Sequence, residues 1–251
     1  MKNIQIKELE FMAGNPKICV PLTGTDEEQI LHDLESLKSL DFDLIELRID
    51  HYNHVDNFEM VRKLLGAVRE NCEKPLLFTF RTSREGGVHE MSEEKYFELN
   101  RLAVESGFVD LIDVELFSSE EQIKGVVSHA HENGVGVVMS SHDFHKTPPK
   151  EEIVRRLVKM QDYGADITKI ALMPNCEEDV LVLMAASLEM KNGKADRPFI
   201  TMSMGALGAI TRLTGDLCGS CLTFASLNKA SAPGQMGVNI TREILNLLKI
   251  Q

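Results

Sequence analysis

Short apolar runs rich in Val, Ile, Leu and Phe recur along the chain at near-regular intervals. They are KICVPL (17–22), DLIELRI (43–49), PLLFTFR (75–81), VDLIDVEL (109–116), GVGVVMS (134–140), DITKIAL (166–172), PFITMS (198–203) and CLTFAS (221–226). Each is almost continuously apolar rather than alternating, so each predicts a strand buried on both faces. The segments between them carry helical signals. Thr25-Asp26-Glu27-Glu28 and Ser118-Ser119-Glu120-Glu121 have the form of capping boxes, and Thr147-Pro148 places an N-cap before a proline at the first helical position. Ile30, Leu34 and Leu37 then share one helical face. Only residues 1–15 stand outside this alternation, and Gly14-Asn15 suggests the turn of a small hairpin. There is no linker, low-complexity tract or close repeat.

Eight buried strands alternating with amphipathic helices predict a parallel sheet covered by helices. The fold class is α/β, a (β/α)₈ TIM barrel with a short N-terminal hairpin, with residues 1–251 as one catalytic domain. An open doubly wound sheet is the competing architecture. It normally carries a glycine-rich phosphate turn after its first strand, and Pro21-Leu22-Thr23-Gly24-Thr25 is not one.

Composition narrows the function classes. At 251 residues, 43% hydrophobic and 26% charged, the chain has an ordinary globular composition and the length common to single barrels. A formal charge of −12 argues against a nucleic-acid or anionic-membrane surface, but leaves room for a small anionic substrate held by local cations. The N-terminus MKNIQIKELEF lacks a signal peptide's apolar core, and no run approaches the ~18–20 apolar residues of a membrane span. The expected location is cytoplasmic. Five cysteines (19, 72, 176, 218, 221) form no paired framework. Cys218 and Cys221 have redox or zinc spacing, yet no second pair accompanies them, so reduced thiols are expected.

A barrel gathers its chemistry at the C-terminal ends of its strands, and polar residues stand there. The second run ends in Glu46-Leu47-Arg48. The third ends in Arg81, followed by a loop with Arg84 and Glu85-Gly86-Gly87. The fourth carries Asp113 and Glu115, and the fifth leads into Ser140-Ser141-His142-Asp143. Met202, Met204 and Arg212 follow the seventh, and Ser231-Ala232-Pro233-Gly234-Gln235 follows the eighth.

The sixth run has Lys169 at its centre. A strand lysine usually lies on an exposed edge, but a closed barrel has no edges, which makes a chemical role the better reading. A lone His is usually a satisfied core residue; the strand-end position of His142 favours function instead. Glu46 and Arg48 could simply neutralise each other, Met202 and Met204 read equally well as core, and Arg84 reads as solvated. A catalytic zinc site finds no converging third ligand beside His142 and His145 or beside His51 and His54. A desolvated amine near Arg48, Arg81 or Arg212 would have a lowered pKa and attack a carbonyl to form an imine. The protonated imine acidifies the adjacent C–H, and His142 is suited to remove that proton.

At this point the sequence resembles the type I 3-dehydroquinate dehydratases of the shikimate pathway, over essentially the whole chain. The resemblance rests on Asp113-Val114-Glu115-Leu116, twenty residues, then Val137 to Asp143. Pro16-Lys17-Ile18, Glu46-Leu47-Arg48, LLFTFR ending at Arg81, Glu85-Gly86-Gly87, Lys169 to Pro174, SMG (203–205) and SAPGQ (231–235) fit the same pattern. The resemblance implies a barrel, usually a homodimer, that uses no metal or cofactor and converts 3-dehydroquinate to 3-dehydroshikimate with loss of water. It implies Lys169 as the Schiff-base residue and His142 as general acid/base, oriented by Glu85. Arg212 would pair with the substrate carboxylate, and Glu46, Arg48, Arg81, Ser231 and Gln235 would hold its hydroxyls and carboxylate. Gly86-Gly87 and SAPGQ would form closing loops. Ser141, Pro21 and Ala225 depart from the usual family residues. The alternative is a Schiff-base class I aldolase-type lyase on the same fold, which would favour a phosphate cradle; SAPGQ is a poor one. A non-catalytic scaffold barrel is hard to reconcile with an amine, a base and several arginines at one mouth.

Overall fold

The computed structural model describes residues 2–14, 16–227 and 231–250. Eight strands form one parallel sheet: β3 (Lys17–Leu22), β4 (Leu44–Arg48), β5 (Leu76–Thr79), β6 (Leu111–Glu115), β7 (Gly136–Asp143), β8 (Ile167–Leu172), β9 (Phe199–Ser203) and β10 (Leu222–Phe224). They pair in chain order, with β10 returning to β3 through Leu222↔Lys17 to Phe224↔Cys19. Between β9 and β10 closure rests on the Phe199↔Ser220 bridge, where Cys221 N–H donates to Phe199 O at 2.9 Å. The result is a nearly closed (β/α)₈ barrel, with each strand inside one of the eight apolar runs or, for β7, running past its end into Asp143.

Helices α1 (Glu27–Leu37), α2 (Phe58–Asn71), α3 (Glu93–Glu105), α4 (Glu120–Glu132), α5 (Lys150–Asp162) and α6 (Glu177–Glu189) follow β3 to β8 in turn. After β9 there is only a 3₁₀ turn, Ala209–Arg212, and the four-residue α7 (Gly215–Cys218); α8 (Val238–Leu247) follows β10. Glycines at 205, 208, 215 and 219 disfavour a longer helix in that crossover.

Local signals shifted where side chains found other partners. The α1 cap is Asp26, which accepts from Gln29 N–H at 2.9 Å, while Gln29 Oε1 reaches back to Thr25 N–H at 3.0 Å. At α4 the N-cap is Ser119 with no side-chain cap bond; its N–H is taken by Glu93 Oε1 of α3. Thr147 does not cap α5 either. Its hydroxyl donates to Met173 O at 3.0 Å, and the helix starts after Pro149.

The N-terminal hairpin exists, but its turn is Lys7-Glu8, between β1 (Ile4–Ile6) and β2 (Leu9–Phe11), with Lys7 at φ +51°. Of the expected turn pair, Asn15 lies outside the described residues. Fully buried Phe11 packs in one cluster with Leu44, Leu77, Leu111, Val138 and Ile167, with Ile4, Ile6 and Leu9 against it. The hairpin therefore plugs the N-terminal end of the barrel.

Strand alternation sorts the remaining side chains. Ile45, Leu47, Phe78, Ile112, Val114, Val137, Met139 and Ile170 belong to the cluster shared with the helices. The inward rows start apolar and turn polar toward the mouth: Leu44, Glu46, Arg48; Leu77, Thr79, Arg81; Leu111, Asp113, Glu115; Val138, Ser140, His142; Ile167, Lys169. Among the described residues no helix is long and apolar enough to cross a membrane.

Candidate active site

Lys169 is 4% exposed, so its ammonium cannot rely on water. Its Nζ is 3.7 Å from Glu46 Oε1 and 3.6 Å from Asp113 Oδ2, and lies 4.5 Å from the centre of the Phe224 ring. Both ion-pair partners of Lys169 among the described residues are thus carboxylates. Glu46 is steadied by the Thr79 hydroxyl, which donates to it at 2.9 Å. Asp113 Oδ2, the oxygen facing Lys169, has no hydrogen-bond partner among the described residues.

His142 projects from the end of β7 and meets Glu85 of the 3₁₀ turn Ser83–Glu85. One carboxylate oxygen, Glu85 Oε2, accepts His142 backbone N–H at 2.9 Å and lies 2.8 Å from Nδ1. Burial, and then the charges of Arg81, Lys169 and Arg48, hold the imidazole well below the usual histidine range. Burial, and then the Glu115 charge, push Glu85 well above the usual carboxylate range. Both shifts disfavour a charge-separated pair and favour a neutral imidazole. Two glycines make this turn possible. Gly86 sits at φ +87° against the Phe144 ring, and a Cβ on Gly87 would lie 1.8 Å from Arg81 O.

Arg81 is the hub of the interior. Its guanidinium donates to Glu115 (2.8 Å), Ser140 (2.9 Å) and Asp113 (2.9 Å), with Glu85 at 3.7 Å. Burial alone would lower its pKa, but Asp113 and Glu115 outweigh that and raise it well above the ordinary value. For Asp113, burial is likewise outweighed by Arg81 and Lys169, and its carboxyl is held below the usual range. Arg48 makes a two-bond fork to Asp50, each bond 2.8 Å.

Arg212 is different. It is 2% exposed, and among the described residues no carboxylate lies within ion-pair distance. Nη2 donates to Pro233 O at 2.9 Å, Nη1 contacts the Met202 sulfur at 3.4 Å, and buried Nε has no partner. Burial lowers its pKa to about 10. Nearby, Gln235 and Ser231 bond to each other, with Ser231 N–H donating to Gln235 Oε1 at 2.8 Å and Gln235 Nε2 to Ser231 Oγ at 2.9 Å.

A single cavity at the C-terminal mouth is lined by all nine candidates: Lys169, His142, Glu85, Glu46, Arg48, Arg81, Arg212, Ser231 and Gln235. Phe144 and Phe224 line it too, although nothing in the sequence marked either ring. Asp113 and Glu115, noted as strand and motif residues without an assigned role, both anchor Arg81, and Asp113 also faces Lys169. Alternation placed them inside, and acids inside a barrel require cations, so that signal was present. Arg84 is exposed, as expected.

A sequence model of the type I 3-dehydroquinase family matches residues 18–251. The chain belongs to the type I 3-dehydroquinase family. The 3-dehydroquinate dehydratase of Syntrophotalea carbinolica is 51% identical over 252 residues, covering 100% of both chains, and that of Escherichia coli strain K12 is 50% identical over 249, covering 99% of both. Among solved structures, type I 3-dehydroquinate dehydratase from Clostridium difficile, with covalently modified comenic acid, superposes with TM-score 0.96 at 47% identity and 98% coverage of both chains. A 3-hexulose-6-phosphate synthase, at 18% identity and TM-score 0.58 over 93% of this chain and 100% of that one, shares the fold alone.

Within this 3-dehydroquinase frame the three departures fall away from the cavity. Alternation between inward Ser140 and His142 turns buried Ser141 toward the helices. Ala225 belongs to the outer hydrophobic cluster, and Pro21 is not among the cavity-lining residues.

Proposed function

We propose that this chain removes water from 3-dehydroquinate to give 3-dehydroshikimate, through a Schiff base on Lys169 with His142 as general acid/base. The observation that carries this reading is a buried strand lysine facing two carboxylates in the cavity that also holds the His142–Glu85 pair. The amine sheds a proton, its lone pair attacks the substrate ketone, and the carbonyl oxygen leaves as water. The ammonium is thereby exchanged for a protonated imine of the same charge. Glu46 and Asp113 suit both cations, so the intermediate inherits a preorganised counter-charge. With Nδ1–H directed to Glu85, His142 Nε2 carries the lone pair that takes the proton beside the imine. The same proton then accompanies the departing hydroxyl as water. A second water hydrolyses the imine and returns Lys169. Borohydride reduction in the presence of 3-dehydroquinate, followed by peptide mass spectrometry, tests this. A reduced adduct on Lys169 supports it; full turnover with no adduct, or an adduct elsewhere, removes it.

Arg212 supports the substrate assignment, because a desolvated guanidinium without a counter-anion gains most from a carboxylate ligand. Arg212→Lys keeps the charge but loses the two-pronged geometry, and Arg212→Ala loses both. Both are expected to raise KM, Ala more than Lys, with about 1.5–3 kcal/mol at stake per charge-assisted bond. Rate should fall as well, since an anchored carboxylate holds the ketone in register. The check is an analogue with a neutral amide in place of the carboxylate. If wild type and Arg212→Ala discriminate acid from amide equally, Arg212 is not the partner and Arg48 or Arg81 is.

We further propose a cytoplasmic homodimer acting as one catalytic domain. Reduced thiols at all five cysteines suit a reducing compartment. For the dimer, α6 is apolar nearly all round and leaves Leu181 63% and Leu188 37% exposed on one stripe. A Leu181→Lys, Leu188→Lys double variant should sediment as a monomer where the unaltered chain sediments as a dimer; no change would move the interface elsewhere.

A further inference from the structure

The barrel wall has a gap beside the site, closed from outside by one side chain. β4 pairs with β5 as far as Arg48↔Thr79, and β6 with β7 as far as Glu115↔Ser140. Between β5 and β6 the pairing is only Leu77↔Leu111 and Phe78↔Ile112. Beyond it the β5 chain leans the other way, and Arg81 N–H donates to Asp50 Oδ1 at 3.3 Å. The β5-facing groups of β6, Asp113 C=O and Glu115 N–H, are left without a strand. Buried and unpaired, they would weaken the sheet there.

Tyr96 of α3 fills that place. Its hydroxyl accepts Glu115 N–H at 3.0 Å and donates to Asp113 O at 3.4 Å. The ring is 1% exposed and packs edge-on against Phe80 and Phe97, with centroids 6.1 and 5.1 Å away. The two residues it ties down carry the carboxylates that organise the site. Asp113 faces Lys169 Nζ at 3.6 Å. Glu115 accepts Thr82 N–H at 2.9 Å, the Thr82 hydroxyl at 2.6 Å and Arg81 Nη1 at 2.8 Å. It therefore anchors the turn that delivers Glu85 to His142.

We propose that Tyr96 is a positioning residue for the reaction: its hydroxyl replaces the missing strand partner and sets Asp113 against Lys169 and Glu115 against the Glu85 turn. This deepens the reading of Lys169 and His142 given above and rests on it. The competing view is that Tyr96 is core filling, for which a phenyl ring serves equally well.

Tyr96→Phe removes one oxygen and keeps the ring, so the fold should persist, judged by circular dichroism and a single melting transition. The expected result is a fall in kcat of about 10- to 100-fold, the scale of small misplacements of reacting groups, with KM changed less than about twofold because the variant leaves Arg212 in place. The rate of borohydride-trappable imine formation in single turnover should fall in parallel. Phe97→Leu is the packing control. It loosens the same ring without touching the hydroxyl, and should lower the melting temperature while changing kcat less than about twofold. The proposal is overturned if Tyr96→Phe keeps wild-type kcat and trapping rate, or if Phe97→Leu loses as much kcat as Tyr96→Phe. Wild-type trapping separates the two levels. Trapping on Lys169 with an unaffected Tyr96→Phe sinks only the positioning role. No trapping in wild type, with kcat lost selectively in Tyr96→Phe, keeps that role and sinks the Schiff base.

Discussion

Lys169→Ala is expected to leave no measurable turnover of 3-dehydroquinate and no borohydride-trapped adduct, while the barrel still folds. The loss should be complete because no other described lysine lines the cavity, so no second amine can form the proposed imine. The variant loses the counter-charge facing Glu46 and Asp113, yet the fold should survive because both carboxylates keep other partners. Glu46 keeps the Thr79 hydroxyl, and Asp113 keeps Arg81 and Ser140. Lys169→Met, closer in volume, should behave alike and melt nearer the wild-type temperature, since it avoids most of the cavity that Ala leaves. Steady-state assays with a melting curve for each variant make the check. Residual turnover above background in a folded Lys169→Met chain would place the nucleophile elsewhere.

His142→Ala is expected to separate imine formation from proton transfer. The amine is untouched, so the covalent intermediate should form and accumulate, trappable by borohydride, while turnover falls by ~10²–10⁴, the usual contribution of a positioned acid–base group. Near-normal turnover would mean the base is misassigned. The wild-type pH profile adds a signed test. Burial and the surrounding cations lower the His142 pKa, so the neutral imidazole persists to lower pH than an ordinary histidine allows. The acidic limb of kcat/KM assigned to this residue should therefore lie below pH ~6.5, and should disappear from the residual activity of His142→Ala.

Much of this molecule is legible in one dimension because its determinants are local. Near-continuous apolar runs of strand length, repeating with helical segments between them, demand a sheet buried on both faces, and alternation within LIELR, LIDVE and ITKIAL already puts Glu46, Asp113, Glu115 and Lys169 on the inner side. The nine candidates, eight of them within quoted motifs and Arg212 from the segment after the seventh run, line a common cavity for the same reason: parallel strands end at one rim. The family follows from those motifs as well.

What tertiary structure alone decided are matters of partner choice between residues far apart in the chain. That Lys169 meets both Glu46 and Asp113 depends on the barrel geometry that sets β8 opposite β4 and β6. Thr147 spends its hydroxyl on Met173 O instead of capping α5, because caps compete with long-range acceptors that no local window contains. The hairpin turns at Lys7-Glu8 because Phe11 has to enter the barrel floor. Among the described residues Arg212 is left without a counter-ion, and a tyrosine on α3 completes a break in β6 pairing. Periodicity determines which face a side chain takes; only the folded chain determines what stands opposite it.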